Sequence, residues 1–101
     1  DIYSQVTISA NNYKRGAFGG IKDLELTVKN NSRFIVDEVI VELMYLKPSE
    51  ETLKSEKITF SNISPNGTLT LQIPDNSRGI KVNYKITAIH SAGYKNYTAW
   101  L

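Results

Sequence analysis

Apolar and polar residues alternate with a period of two along most of the chain, the pattern of a β-strand with one buried face. Leu24, Leu26 and Val28 share one face, and Glu25, Thr27 and Lys29 the other. Val39, Val41, Leu43 and Tyr45 alternate with Glu38, Ile40, Glu42 and Met44. Half of that second set is apolar, which predicts a strand central in its sheet or covered on both sides. Ile58 and Phe60 stand opposite Lys57 and Thr59, and Leu69, Leu71 and Ile73 opposite Thr68, Thr70 and Gln72. Ile80, Val82, Tyr84, Ile86 and Ala88 alternate with Lys81, Asn83, Lys85 and Thr87. Val6, Ile8 and Ala10 predict an opening strand, and Tyr97, Ala99 and Leu101 a closing one. No long segment carries the helical period of about 3.6. Residues 49–57 come nearest, and Leu53 is their one apolar residue.

Turn chemistry separates the runs. Asn30-Asn31-Ser32 can hydrogen-bond its own backbone. Pro48, within Lys47-Pro48-Ser49-Glu50, cannot donate to a ladder and ends the long strand. Ser64-Pro65-Asn66-Gly67 joins a preset φ at proline to an Asn-Gly pair that accepts positive φ. Residues 74–79 and Ser91-Ala92-Gly93 mark two further breaks. Seven short strands with turns every 8–12 residues predict an all-β chain, an antiparallel seven-stranded immunoglobulin/fibronectin III-like β-sandwich.

Composition sharpens this picture. The 101 residues suit one domain, residues 1–101, large enough to bury a core without covalent staples. Cysteine is absent, which excludes disulfides, thiolate metal sites and a cysteine nucleophile. Twelve cations against ten anions give a net charge of +2, too small an excess to argue for nucleic acid. No apolar run approaches the roughly 20 residues of a membrane span. The chain opens on Asp1 rather than Met. A processed protein or an excised domain is the expectation, with any signal or anchor upstream of Asp1.

Residues 24–91 resemble the FxLYD-type family and related immunoglobulin-like extracytoplasmic domains of bacteria. The resemblance is carried by Val28-Lys29-Asn30-Asn31-Ser32 for a V-x-N-x-S strand end, and by Val39-Ile40-Val41-Glu42-Leu43-Met44-Tyr45 for a strand ending in V-x-Y. Pro65-Asn66-Gly67 before Thr68-Leu69-Thr70-Leu71 supplies the turn and strand that follow. Leu46-Lys47 stands where the family has an aspartate after the tyrosine. The resemblance implies an exported domain, periplasmic or at the cell surface and membrane-tethered only through segments outside this chain. It implies no catalytic residue.

The residues themselves offer little for catalysis. His90, the one histidine, continues the phase of Ile86 and Ala88, and zinc or a triad would need partners that the composition lacks. Asp37-Glu38 and Glu50-Glu51 are adjacent, so on a strand each pair points to opposite faces; solvated turn charges are the reading. Gly16-Ala17-Phe18-Gly19-Gly20 lacks the Lys-Ser/Thr of a phosphate loop; a flexible connection or bulge is expected, with Phe18 tucked onto the sandwich. Asp75-Asn76 offers a single carboxylate, a poor calcium site. Lys14, Arg15, Arg33, Arg78, Lys81, Lys85 and Lys95 read as solvated charge. Asn30, Asn62, Asn66 and Asn96 begin Asn-x-Ser/Thr triplets and read as turn residues in a bacterial chain.

Aromatics near the end of the chain remain: Tyr94, Tyr97 and Trp100. Exposed rings beside Asn stack on sugars or on a protein partner; otherwise they cap the core. The expected function is that of a non-catalytic extracytoplasmic interaction or spacer domain, with no cofactor or metal, whose partner is a protein or an envelope component. An exposed edge around Val6–Ala10 would also accept a partner's strand. The alternative is a small carbohydrate-binding or adhesin module using Tyr94, Tyr97 and Trp100.

Overall fold

A computed structural model describes residues 1–99. After a 3₁₀ turn at Ile2–Ser4 come β1 (Val6–Ala10), β2 (Lys14–Arg15), β3 (Ile21–Lys22), β4 (Glu25–Asn30), β5 (Val36–Leu46), β6 (Thr52–Ile63), β7 (Thr68–Gln72) and β8 (Lys81–His90), then helix α1 (Ala92–Thr98). The chain is all-β with antiparallel pairing throughout the sheets. Among the described residues, eight strands form three sheets, β1-β4-β7, β6-β5-β8 and the small β2-β3 pair.

The alternation read from the sequence fixes which faces meet. In β4, Leu26 and Val28 are fully buried, and Val28 lies opposite Ile8 of β1 and Leu69 of β7. In β5, Val39, Val41 and Leu43 are fully buried, and Val41 lies opposite Ile58 of β6 and Ile86 of β8. Both sets belong to one core, completed by Ile21, Leu24, Phe60, Ile63 and Ile73. Removing each large aliphatic side chain from water stabilises the fold by about 1.5–3 kcal/mol. This places β5 as the central strand of its sheet, as its half-apolar outer face predicts.

β8 departs from simple alternation. Ile40 lies opposite Ala88 but Val41 lies opposite Ile86, so Thr87 is an extra residue in the ladder. Its hydroxyl donates to Ile40 O at 3.2 Å. A bulge of one residue exchanges the two faces. Ile89 therefore packs on the core beside Ile86, whereas His90, opposite Glu38, is exposed. The phase that would carry His90 inward is broken at Thr87.

Three further expectations change. Tyr97 lies in α1 and Ala99 caps it, so no closing strand forms there; Leu101 and Trp100 lie outside the described residues. A local cap and one distant contact start the helix: Ser91 Oγ accepts from Tyr94 N–H at 3.3 Å, and Asp37 Oδ2, far away in the chain, accepts from Ala92 N–H at 2.8 Å. β6 begins at Thr52, well before Ile58, because the long β5 offers it a ladder along nearly its full length. The 16–20 segment is the tip of the β2-β3 hairpin, and Phe18 is fully exposed rather than packed on the sheets. The Ser64–Gly67 turn forms as read, with Asn66 at φ 59 and Gly67 N–H donating to Ser64 O at 2.9 Å.

Candidate functional site

One end of the molecule gathers aromatic rings around an arginine. Its foundation is Asn30, at the end of β4 and in phase with Leu26 and Val28, so its amide is buried among apolar neighbours. A buried amide is stable only when its hydrogen bonds are made. Here Nδ2 donates to Phe34 O at 2.7 Å, Ser64 O at 3.1 Å and Ile63 O at 3.2 Å. Oδ1 accepts from Ser32 N–H at 2.9 Å and from Ser32 Oγ at 2.6 Å. Phe34 N–H in turn donates to Ser32 Oγ at 3.2 Å. This network ties the β4–β5 connection to the β6–β7 turn and holds the backbone on both sides of Arg33.

Arg33 and Phe34 then meet α1. The Phe34 ring lies 5.6 Å from Tyr94, edge-on at 75°, and 5.4 Å from Tyr97. The Arg33 guanidinium sits 4.5 Å from the centre of the Tyr97 ring and 5.2 Å from that of Phe34. Both separations are within cation–π range. Tyr94 is half-buried against the core and Tyr97 is exposed. A groove of about 370 Å³ runs beside them, lined by Asp1, Gln5, Asn31, Arg33, Phe34 and Tyr97 among others.

Of the residues singled out in the sequence, Tyr94 and Tyr97 are brought together here and Trp100 lies outside the described residues. Arg33 appeared in the sequence only as one of several cations, and Phe34 not at all. The available signal was Asn30, a polar residue in the buried phase of an apolar strand. Such a residue must be answered by hydrogen bonds, so the loop that answers it is fixed.

The other candidates have structural partners. Asp37 caps α1. Asp75 Oδ1 accepts from Asp23 N–H at 3.1 Å, and Asn76 Nδ2 donates to Arg78 O at 2.7 Å, which ties loops together. Glu50 is ion-paired with Lys81, which holds its carboxyl below the usual carboxylate range. Lys85 reaches Glu42 at 3.8 Å and Lys14 reaches Asp23 at 3.9 Å. The seven cations are not brought into one patch: Arg33 lines the groove at the α1 end, and Arg78 lines one beside Lys47 and Pro48 at the end of β5. Of the Asn-x-Ser/Thr residues read as turns, only Asn66 sits in a turn: Asn30 is sealed inside the core, Asn62 lies within β6 at positive φ and Asn96 lies in α1. Among the described residues, no three His, Asp or Glu side chains gather as metal ligands.

Chemically, the Arg33 groove offers a flat cation, aromatic faces, the amides of Gln5 and Asn31, the Ser32 hydroxyl and the Asp1 carboxylate. Comparison with family models, curated proteins and solved structures finds no match for the chain.

Proposed function

We propose that the chain is a non-catalytic interaction domain that engages a protein partner through Arg33, Phe34 and Tyr97. The observation that carries this is the stacking of Arg33 on the exposed Tyr97 ring at 4.5 Å. Arg and Tyr are enriched among the residues that dominate protein–protein affinity. Here both are held by backbone that Asn30 and Ser91 fix, so little side-chain ordering remains to oppose binding. The immunoglobulin-like part of the reading is supported by strand order. β1-β4-β7 follows the A-B-E order of such sandwiches and β6-β5-β8 a C′-C-F order, with β2-β3 as an addition. The resemblance of residues 24–91 to extracytoplasmic bacterial domains supports an exported or membrane-tethered parent protein, with the domain periplasmic or at the cell surface.

The test is capture from envelope fractions by the wild-type chain and by Tyr97→Ala and Arg33→Glu. The proposal expects one protein retained by wild type and reduced about tenfold by either substitution. Equal capture by all three chains would refute it.

A carbohydrate-binding reading is favoured by one feature, the amides of Gln5 and Asn31 in the same groove as the Tyr97 ring. A panel of cell-wall and capsular glycans titrated against intrinsic fluorescence decides between the two. Saturable quenching lost in Tyr97→Ala establishes the second reading, and a flat response removes it.

A further inference from the structure

The opposite end of the molecule carries a second built surface. β5 runs from Val36, beside the Arg33 loop, to Leu46, so the two ends are roughly 33 Å apart at about 3.3 Å per residue. Asp1 and the α1 tyrosine Tyr97 both line the Arg33 groove. The far end is therefore remote from both ends of the described chain.

The hairpin tip there is closed on itself and on a neighbouring loop. Gly16 N–H donates to Gly20 O at 3.0 Å and Gly19 N–H to Gly16 O at 3.1 Å. Gly20 N–H donates to Gly79 O at 2.8 Å, and Ile21 and Asn76 exchange backbone bonds at 2.8 and 3.0 Å. This bonding leaves the Phe18 ring fully in water. The ring buries no appreciable surface against the loop.

Phe18, Pro48, Leu53 and Ile80 form the apolar walls of a groove of about 280 Å³, and Lys47 and Arg78 are the charged residues among the rest of its lining. Among the described residues, no carboxylate lines it. Neither Lys47 nor Arg78 is ion-paired among the described residues. We propose that this groove docks a peptide segment of a partner protein that sets a large apolar side chain beside carboxylates. The apolar group packs against Phe18, Pro48 and Leu53, and the carboxylates meet Lys47 and Arg78, the latter with bidentate geometry. A flat anionic membrane fits less well. The apolar surface is the wall of a groove, which a protruding side chain fills and a flat bilayer does not. With the Arg33 groove at the other end, such a domain bridges two partners.

Selection of short randomised peptides against the full chain tests this. Enriched sequences should pair Asp or Glu with Phe, Leu or Met. A fluorescein-labelled copy of the strongest should lose affinity about tenfold in Phe18→Ala and in Arg78→Glu. Melting should be unchanged in both, since the two side chains are outside the core. Tyr97→Ala should leave that affinity within about twofold, which separates this groove from the Arg33 end. The proposal falls on any of four results: no enrichment, enriched peptides without carboxylates, binding indifferent to Phe18 and Arg78, or loss with Tyr97→Ala. Sedimentation with vesicles about one-third anionic phospholipid is the last arm. Phe18-dependent sedimentation there, without peptide binding, overturns the proposal in favour of a membrane contact.

Discussion

Tyr45 and Glu56 are joined across the β5–β6 pair: the Tyr45 hydroxyl donates to Glu56 Oε1 at 2.9 Å from a ring that is almost wholly buried. Glu56 lies opposite Leu43 in the ladder, so the contact runs diagonally, within reach of a long side chain and a ring. Lys54 lies 5.6 Å over the Tyr45 ring and 3.7 Å from Glu56. Burial first, then the hydrogen bond and charge of Glu56, push the Tyr45 phenol well above its ordinary value.

That relationship fixes the behaviour in alkali. The unfolded chain loses the phenolic proton near pH ~10, whereas the folded chain keeps it. The stability contributed by Tyr45 is complete below that pH and declines as pH rises through it, by at most about 1.4 kcal/mol per pH unit. Tyr45→Phe removes this dependence and costs about 1 kcal/mol at neutral pH for the lost hydrogen bond. Urea denaturation of both chains from pH 8 to pH 11 measures it. Parallel stability curves would show that the phenol does not titrate late.

Val41 tests the meeting of the sheets. It is fully buried between Ile58 and Ile86 in its own sheet and belongs to the shared core. Val41→Asp puts an unpaired carboxylate there, a substitution whose cost exceeds the whole stability of many small domains. The variant should lack dispersed amide resonances and a cooperative melt. A well-dispersed spectrum with unchanged melting would overturn the face assignment.

Asn30 is the polar keystone of the Arg33 end. Asn30→Ala removes the amide donor from three backbone carbonyls, of which Ser64 O keeps Gly67 N–H and Phe34 O keeps Ser32 Oγ, and removes the acceptor of Ser32 N–H; it should destabilise by about 1–3 kcal/mol. Asn30→Asp should be worse despite its closer shape. It keeps the acceptor for Ser32 but turns an oxygen toward the carbonyls of Phe34, Ile63 and Ser64. Comparing melting temperatures of the two variants checks the order. If Asp is tolerated better than Ala, the amide is not oriented by those carbonyls.

Gly20 locks the far end. It has φ 92, and a Cβ there would approach Asn76 O to 2.7 Å. Gly20→Ala should cost about 1–3 kcal/mol through backbone strain and loop separation. It should also raise amide exchange at Ile21 and Asn76, whose backbone bonds close the junction. Exchange left unchanged at both would mean the loops dock without this contact.

The alternating runs alone determined most of the architecture. Leu26 and Val28, Val41 and Leu43, and Phe60 all face inward as their phase requires, because a strand repeats every two residues and one apolar face must leave water. The Ser64–Gly67 turn was equally legible, since Pro and Asn carry their backbone preferences with them. What the tertiary structure decided depends on residues far apart in the chain. The face reversal at Thr87 is a matter of register between β5 and β8, which neither strand specifies alone. Residues Ala92–Thr98 are helical because Ser91 and Asp37, the latter 55 positions from Ala92, cap their start, overriding a weak local alternation. Arg33 meets Tyr97 because Asn30 fixes one segment and Ser91 the other. Periodicity reports which side of an element is apolar; which elements then touch, and what their ends hold, follows from closing the core.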